Sequence, residues 1–249
     1  MSEHSSPRRL PIYWWTLSFQ AGAINAGGLL SCGRSVSHVT GFGTYFGTEG
    51  AAGHWQVALG LLSVPIFFLF GAILTTIVLE HPRSYSRDRF YGYSRILGTI
   101  AILCLSVAAL GEAGYFGSFN ESLNLRRHYI LLVLLSLACG LQNALFSDRA
   151  GTVVRSTHMT GPITDLGIEL GRLFLLAIGR GQRLPQLRFR RELTFSAIRG
   201  IALLMFVGGA LLGSFYFLRY QYLGFVLPGF TALVLMTDSF KVQRRLFFD

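Results

Sequence analysis

The sequence predicts an all-α fold, a polytopic membrane helix bundle, and three observations support that prediction. Hydrophobic residues make up 51% of the 249-residue chain and charged residues only 14%, too little polarity to cover a soluble fold of this size. Six nearly uncharged runs approach the roughly 17–25 residues that cross a bilayer core as a helix. The third observation is a short motif that occurs twice, about half a chain apart.

The apolar runs are the predicted membrane spans. They cover residues 10–33, 55–79, 96–111, 129–147, 200–218 and 220–237. The first run is too long and too aromatic for a cleaved signal peptide, and Tyr13, Trp14 and Trp15 are typical of the belt at a membrane edge. Small residues inside the spans predict close helix packing. These are Gly22, Gly27, Gly28, Gly208, Gly209 and Gly213.

The basic residues predict the orientation of the spans. If the N-terminus is cytoplasmic, only Arg34, Arg126, Arg127 and Arg219 of the 22 lysines and arginines lie on the outer side. The positive-inside rule therefore predicts two cytoplasmic termini, in a cytoplasmic (inner) membrane of bacterial type. Residues 180–191 hold a run of arginines that is interpreted as an anchor to anionic lipid headgroups. No nucleic acid partner is expected, because no aromatic platform accompanies the run.

The repeated motif reads Ser/Thr-His-x-Thr-Gly. A shift of 120 positions places residues 37–49 on residues 157–169, and six of these thirteen positions are identical, whereas random pairing gives about one. The likeness extends back to residues 22–26 and 140–144. The expected units are residues 1–120 and 121–249, each with three spans. Because three is odd, the two units must enter the membrane from opposite faces, which predicts an inverted repeat.

A short re-entrant or interfacial helix is expected after each motif, at residues 42–50 and 162–179. The second segment carries charged residues that would be costly to expose to lipid over a full crossing. Thr160, Gly161 and Pro162 are predicted to cap this helix, with Asp165 near its positive end.

The same residues resemble the YoaK-like family of six-span membrane proteins of unknown function. The resemblance spans nearly the whole chain and is most specific in three segments. They are Ser37-His38-Val39-Thr40-Gly41, Gly140-Leu141-Gln142-Asn143-Ala144 and Thr157-His158-Met159-Thr160-Gly161-Pro162-Ile163-Thr164-Asp165-Leu166-Gly167. One departure is Phe42-Gly43, where the family more often carries a polar Asn-Thr pair. The resemblance implies a fold and a membrane location and brings no substrate or reaction.

The candidate solute site is built from both motifs and the neighbouring spans. Its residues are His38, Thr40, Gly41, Thr44, His158, Thr160, Gly161, Thr164, Asn25, Gln142 and Asn143. Helix N-termini attract anions and histidine exchanges protons near neutral pH, so the motif is compatible with a secondary transporter or channel for a small, anionic or proton-coupled solute. Secondary candidates for a proton relay are Asp165, Glu169 and Glu49.

Structural explanations compete with each of these roles. The histidines could bond backbone carbonyls at chain reversals, and the asparagines could join helices. Glu49 and Glu169 could pair with Arg34 or Arg172. The competing function is a non-catalytic membrane scaffold or an accessory subunit of a larger membrane complex. A homodimer is plausible for a chain of 27.6 kDa.

An enzyme is not expected, because the sequence has no nucleophile elbow, phosphate loop, zinc-binding HExxH or CxxC motif. No metal and no cofactor is expected either. Cys32, Cys104 and Cys139 lie in or beside apolar spans and are interpreted as packing residues. The partners expected from the sequence are the lipid bilayer and a small-molecule solute.

Overall fold

The computed structural model describes residues 9–80, 88–150, 159–178 and 186–248, and in these ranges every regular element is a helix. The α-helices are α1 Arg9–Cys32, α2 Val39–Ala51, α3 Trp55–Glu80, α4 Asp88–Glu112, α5 Leu125–Ala150, α6 Thr160–Ala177, α7 Gln186–Tyr220 and α8 Val226–Phe248. A 3₁₀ turn, Gln221–Phe225, joins α7 to α8. The predicted all-α fold is confirmed.

Four described segments are long and apolar enough to cross a membrane. They are Trp55–Glu80, Tyr91–Glu112, Leu125–Leu145 and Ser196–Thr237, the last running through α7, the 3₁₀ turn and part of α8. Segments of this length and apolarity are typical of an integral membrane protein. Helix α1, predicted as a span over residues 10–33, and the short helices α2 and α6 are not among the four.

Helices α1 and α5 form the centre of the bundle. Residues 20–28 of α1 are all buried, and α5 is buried along most of residues 131–142. Helices α3 and α7 instead carry many exposed apolar side chains, as a lipid-facing surface requires. Examples are Leu59, Ile66, Leu69, Ile73, Leu204, Leu211 and Phe215.

Most helix contacts in the first half of the chain have a counterpart in the second half. Helix α1 packs against α7 and α5 against α3; α2 packs against α3 and α6 against α7; α1 packs against α8 and α5 against α4. Pairs α1–α5 and α4–α8 join equivalent helices, whereas α3 packs directly against α4 and α7 and α8 each contact the 3₁₀ turn. Exchanging α1–α4 for α5–α8 therefore maps the direct contacts between α-helices onto one another, except for α3–α4.

The α1–α7 contact brings two backbones together at glycines. A β-carbon on Gly22 would collide with the carbonyl oxygen of Phe206, and one on Gly209 would collide with the carbonyl oxygen of Phe19. Gly208 faces open space among the described residues, so its predicted packing role is wrong.

The α3–α5 contact repeats this arrangement. A β-carbon on Gly140 would collide with the carbonyl oxygen of Phe68, and one on Gly71 would lie 2.6 Å from the carbonyl oxygen of Leu137. In both contacts, each glycine lies three residues after the residue of its own helix whose carbonyl oxygen meets the glycine of the other helix. The two crossings thus have the same construction.

The short helices lie close to their predicted places but begin differently. Helix α2 starts at Val39 and α6 at Thr160, earlier than the predicted residues 42 and 162. The predicted hydroxyl cap of Thr160 is not seen: Thr160 is the first residue of α6, and Met159 before it makes no side-chain capping bond. Thr157, His158 and residues 179–185 of the basic segment lie outside the described residues.

Candidate functional site

The first motif is fixed to α1 through its serine. The Ser37 hydroxyl donates to Asn25 Oδ1 at 2.8 Å, and the Ser37 backbone N–H donates to the same oxygen at 3.2 Å. Both residues are buried. Asn25 therefore holds the loop between α1 and α2 against α1, which differs from the bond between two helices considered above.

His38 stands at the N-terminus of α2. It is the N-cap residue, its side chain makes no capping hydrogen bond, and it is exposed. Its carbonyl oxygen accepts a bond of 3.0 Å from the Gly41 N–H. The imidazole is accordingly free to meet solvent or solute beside the positive end of a helix.

The threonines after His38 form a hydroxyl row on the exposed side of α2. Thr44 Oγ1 donates to the Thr40 carbonyl at 3.5 Å, and Thr48 Oγ1 donates to the Thr44 carbonyl at 3.2 Å. All three residues are exposed. Because each hydroxyl retains its lone pairs, the row can still accept hydrogen bonds from another molecule.

The second motif repeats part of this geometry on α6. Thr164 Oγ1 donates to the Thr160 carbonyl at 2.8 Å, as Thr44 does to Thr40 in the first copy. Thr160 and Thr164 are exposed and Gly161 is half-buried. The predicted partner His158 lies outside the described residues, so its distance from His38 stays a prediction.

The acidic residues of α6 meet an arginine from the next span. Arg199 on α7 is buried and forms an ion pair and hydrogen bond with Glu169. Ser196 Oγ donates to the other Glu169 oxygen at 2.5 Å, and Asp165 Oδ2 lies 3.9 Å from Arg199. This cluster joins α6 to α7 at the start of the apolar segment Ser196–Thr237.

In the first copy, the matching glutamate has a different partner. Glu49 Oε2 lies 3.0 Å from Nδ1 of His54, at the turn between α2 and α3. Arg34 stacks on the Tyr45 ring at 4.3 Å. The glutamate partners considered from the sequence, Arg34 and Arg172, are thus not those seen for Glu49 and Glu169.

The Gln142 amide of α5 is bonded to α1. Gln142 is fully buried, and its Nε2 donates to the Leu17 carbonyl of α1 at 2.5 Å. Asn143, the next residue, is half-buried. Gln142 therefore belongs to the contact between α1 and α5. Its described hydrogen bond does not reach α2 or α6.

Sequence reasoning missed three polar residues that take part in these contacts: Ser196, Arg199 and Gln20. The Gln20 Nε2 donates to the Pro228 carbonyl of α8 at 2.7 Å. A signal was available for Gln20, since an amide side chain inside an apolar run is expensive without a role. Ser196 and Arg199 lie just before the predicted run at residues 200–218, where a polar residue attracts no notice.

Asn25→Ala is expected to lower the free energy of unfolding by about 1–3 kcal/mol, because the buried N–H of Ser37 loses its acceptor. Thermal and denaturant unfolding of the purified protein in detergent measures the change. Thr16→Ala is the matched control on α1, because it removes only an exposed bond to the Ile12 carbonyl. Equal stability of the two variants would contradict the fixing role of Asn25.

Comparison with known proteins identifies the family and no characterised relative. No curated protein and no solved structure matches the chain. A family model described as "Protein of unknown function (DUF1275)" matches residues 13–237, which include both motifs and all four apolar segments. The membership expected from the motifs is thereby confirmed, and the chain belongs to the DUF1275 family of proteins of unknown function.

Proposed function

We propose that this protein is a small secondary transporter made of two inverted three-span units. The first unit contains spans α1, α3 and α4, and the second contains α5, α7 and α8. The short helices α2 and α6 follow the first span of each unit. Six crossings put both termini on the same side, and the distribution of basic residues favours the cytoplasmic side.

The observation that carries this proposal is the exchange symmetry of the helix contacts. Contacts α1–α7 and α5–α3 correspond, and each brings glycines against backbone carbonyls at the same three-residue spacing. Equivalent units with an odd number of spans must be related by an axis in the membrane plane. Many transporters use such inverted repeats for alternating access, with the solute site between the units.

Helix lengths support six spans. Segment Ser196–Thr237 has 42 residues, about 63 Å of helix, which is twice the roughly 30 Å of a bilayer core. It therefore crosses twice, with the 3₁₀ turn between the crossings. Helix α1 has 24 residues, and its polar residues Ser18, Gln20 and Asn25 are buried inside the bundle and away from lipid.

The motif helices are suited to moving a polar solute. Helix α2 is about 20 Å long, too short to span, and presents the hydroxyl row of Thr40, Thr44 and Thr48 beside His38. Helix α6 presents Thr160 and Thr164 in the matching places. Under the inverted repeat, the two rows approach the membrane interior from opposite faces.

Uptake into proteoliposomes tests the proposal. Pyranine trapped inside reports proton movement when small anions, amines and amides are added in turn under an imposed pH gradient. Wild-type protein should move at least one solute faster than empty liposomes do. His38→Ala and His158→Ala should each slow that flux about tenfold, comparable to losing one hydrogen bond to a charged group.

Thr99→Ala is the control for this assay, because Thr99 lies on the exposed side of α4 and bonds the Arg95 carbonyl within its own helix. Flux no faster than that of empty liposomes for the whole panel would argue against transport. Unchanged flux in both histidine variants would remove the motif from the mechanism.

The competing proposal is a membrane scaffold or accessory subunit, and the exposed apolar side of α6 favours it. Ile163, Ile168, Leu170 and Phe174 are each at least half exposed. Such a surface could pack against another membrane protein or a second copy of this chain. Cross-linking in native membranes that captures α6 with one defined partner, together with no flux in liposomes, would select this alternative.

A further inference from the structure

Two buried glutamines lie at the middle of α1. One belongs to α1 itself, and the other reaches α1 from α5. Gln20 on α1 donates its Nε2 proton to the Pro228 carbonyl of α8, and Gln142 on α5 donates to the Leu17 carbonyl. Both side chains are fully buried. Gln20 and Leu17 are three residues apart, so they lie on the same side of the helix.

The acceptor atoms of these amides remain unused. Oε1 of Gln20, Oε1 of Gln142 and the hydroxyl of the neighbouring Ser18 are buried and make no hydrogen bond to any described residue. Burying such a group without a partner is unfavourable, and native proteins usually supply a water, ion or ligand. The centre of α1 thus contains hydrogen-bond acceptors that no described residue uses.

The packing of the two repeats does not explain these glutamines. A shift of 118 positions aligns Gln20 with Ala138 and Gln142 with Ile24, so the other copy has an apolar residue at each place. Both of these apolar residues are fully buried. The helix crossing is therefore built without an amide in the equivalent position.

The surroundings are the junction of four helices. Within residues 17–22, α1 meets α5 through Leu17, α8 through Gln20 and α7 through Gly22, where the α7 backbone is in contact. The polar atoms thus lie at the junction of helices from both repeats, which is where an inverted-repeat transporter holds its solute.

We infer that the centre of α1, at Gln20 and Gln142, is a binding site for a small solute that donates hydrogen bonds and has no negative charge. One N–H of each amide is bonded to a backbone carbonyl, and both amide oxygens have no described partner, so these oxygens are acceptors offered to a ligand. An anion would meet these oxygens with like partial charge, whereas an N–H or O–H donor would satisfy them. The Trp15 indole N–H also lacks a described partner. Residue 15 lies about 200° around the helix from Leu17, so this donor is on the opposite side of α1 from the glutamines.

This inference deepens the proposed transport function and rests on it for what the bound solute does next. It changes the expected chemistry, because the sequence motif favoured an anionic solute. A small ammonium or amide compound fits the acceptors better.

Binding can be measured without transport, through tryptophan fluorescence. Trp14 lies one helical turn before Ser18, and Trp15 is adjacent; the third tryptophan is Trp55. Full-length protein carrying Trp55→Phe is titrated in detergent with methylammonium, with formamide and with formate. Saturable changes are expected with methylammonium or formamide, and none with formate.

Variants at the glutamines assign the site. Gln142→Met and Gln20→Met remove the acceptors at similar volume and are expected to weaken the apparent affinity at least tenfold. Gln142→Glu keeps the shape and adds negative charge, so it should increase the affinity for methylammonium. Gln56→Met, at an exposed position near the start of α3, is the matched control. Circular dichroism melting checks that each variant is folded.

Several results would overturn the inference. They are no saturable change with methylammonium or formamide, saturation with formate instead, or unchanged affinity in all folded glutamine variants. The first outcome would leave at most buried water at these atoms. If binding and its loss in the variants are observed while the liposomes show no flux, the site stands and the transport proposal fails.

Discussion

Arg199→Leu is expected to lower the free energy of unfolding by about 3–5 kcal/mol, the cost of leaving a buried partner charge unpaired. Glu169, the partner, has a side chain only 12% exposed, and Arg199 is equally buried at 10%. Because both side chains are buried, water has little access to replace the guanidinium. Reversible unfolding in mixed detergent micelles, followed by circular dichroism, measures the loss.

The double variant Arg199→Leu with Glu169→Leu distinguishes the cost of the unpaired charge from the cost of losing the arginine side chain. Removing both charges leaves no unpaired partner, so much of the stability should return. Arg172→Leu is the control, because this arginine is exposed on α6. If the double variant were less stable than Arg199→Leu alone, the loss would have to come from packing of the arginine stem, and the ion-pair explanation would fail.

Much of the architecture follows from sequence patterns because membrane helices have few alternatives. A long apolar run in lipid must satisfy its backbone internally, so hydropathy alone locates α3, α5 and the segment from α7 to α8. The second motif predicted α6, and its proline lies in the first turn of the helix. The sequence separates the runs at residues 200–218 and 220–237, and the 3₁₀ turn Gln221–Phe225 lies just after that break.

The charged partners could not be predicted in the same way. Glu169 was matched with Arg172, its neighbour in sequence, whereas its partner Arg199 lies thirty positions away on the next span. A window average of hydropathy dilutes a single arginine among apolar neighbours. Which carboxylate reaches it depends on how α6 lies across α7, and that is decided by packing.

The contacts of the buried glutamines in the centre of the bundle were equally hard to predict from the sequence. Gln142 was singled out with Asn143 because the pair belongs to the family motif, yet the two residues have different surroundings. Gln20 belongs to no motif and was missed. Its relation to Gln142 appears only once α1, α5 and α8 are brought together.

Gly209→Ala and Gly208→Ala, at adjacent positions of α7, are expected to change stability in opposite directions. A β-carbon on Gly209 collides with the Phe19 carbonyl of α1, and backbone cannot move aside as a flexible side chain can. Overpacking of this kind costs about 1–3 kcal/mol, and more where the helices must separate. Gly208 has nothing within 4 Å, so alanine there should add up to about 1 kcal/mol from helix propensity.

The corresponding changes at the second crossing extend this test to the repeat. Gly140→Ala is expected to destabilise α5 against α3 about as much as Gly22→Ala destabilises α1 against α7, since each β-carbon meets the carbonyl of a phenylalanine. Unfolding of the single variants and of the pair measures both costs. Because the sites lie in separate contacts, the two costs should add within about 0.5 kcal/mol. A large cost at one crossing and none at the other would mean that the α1–α7 and α5–α3 contacts are not equivalent. That result would remove the main support for an inverted repeat.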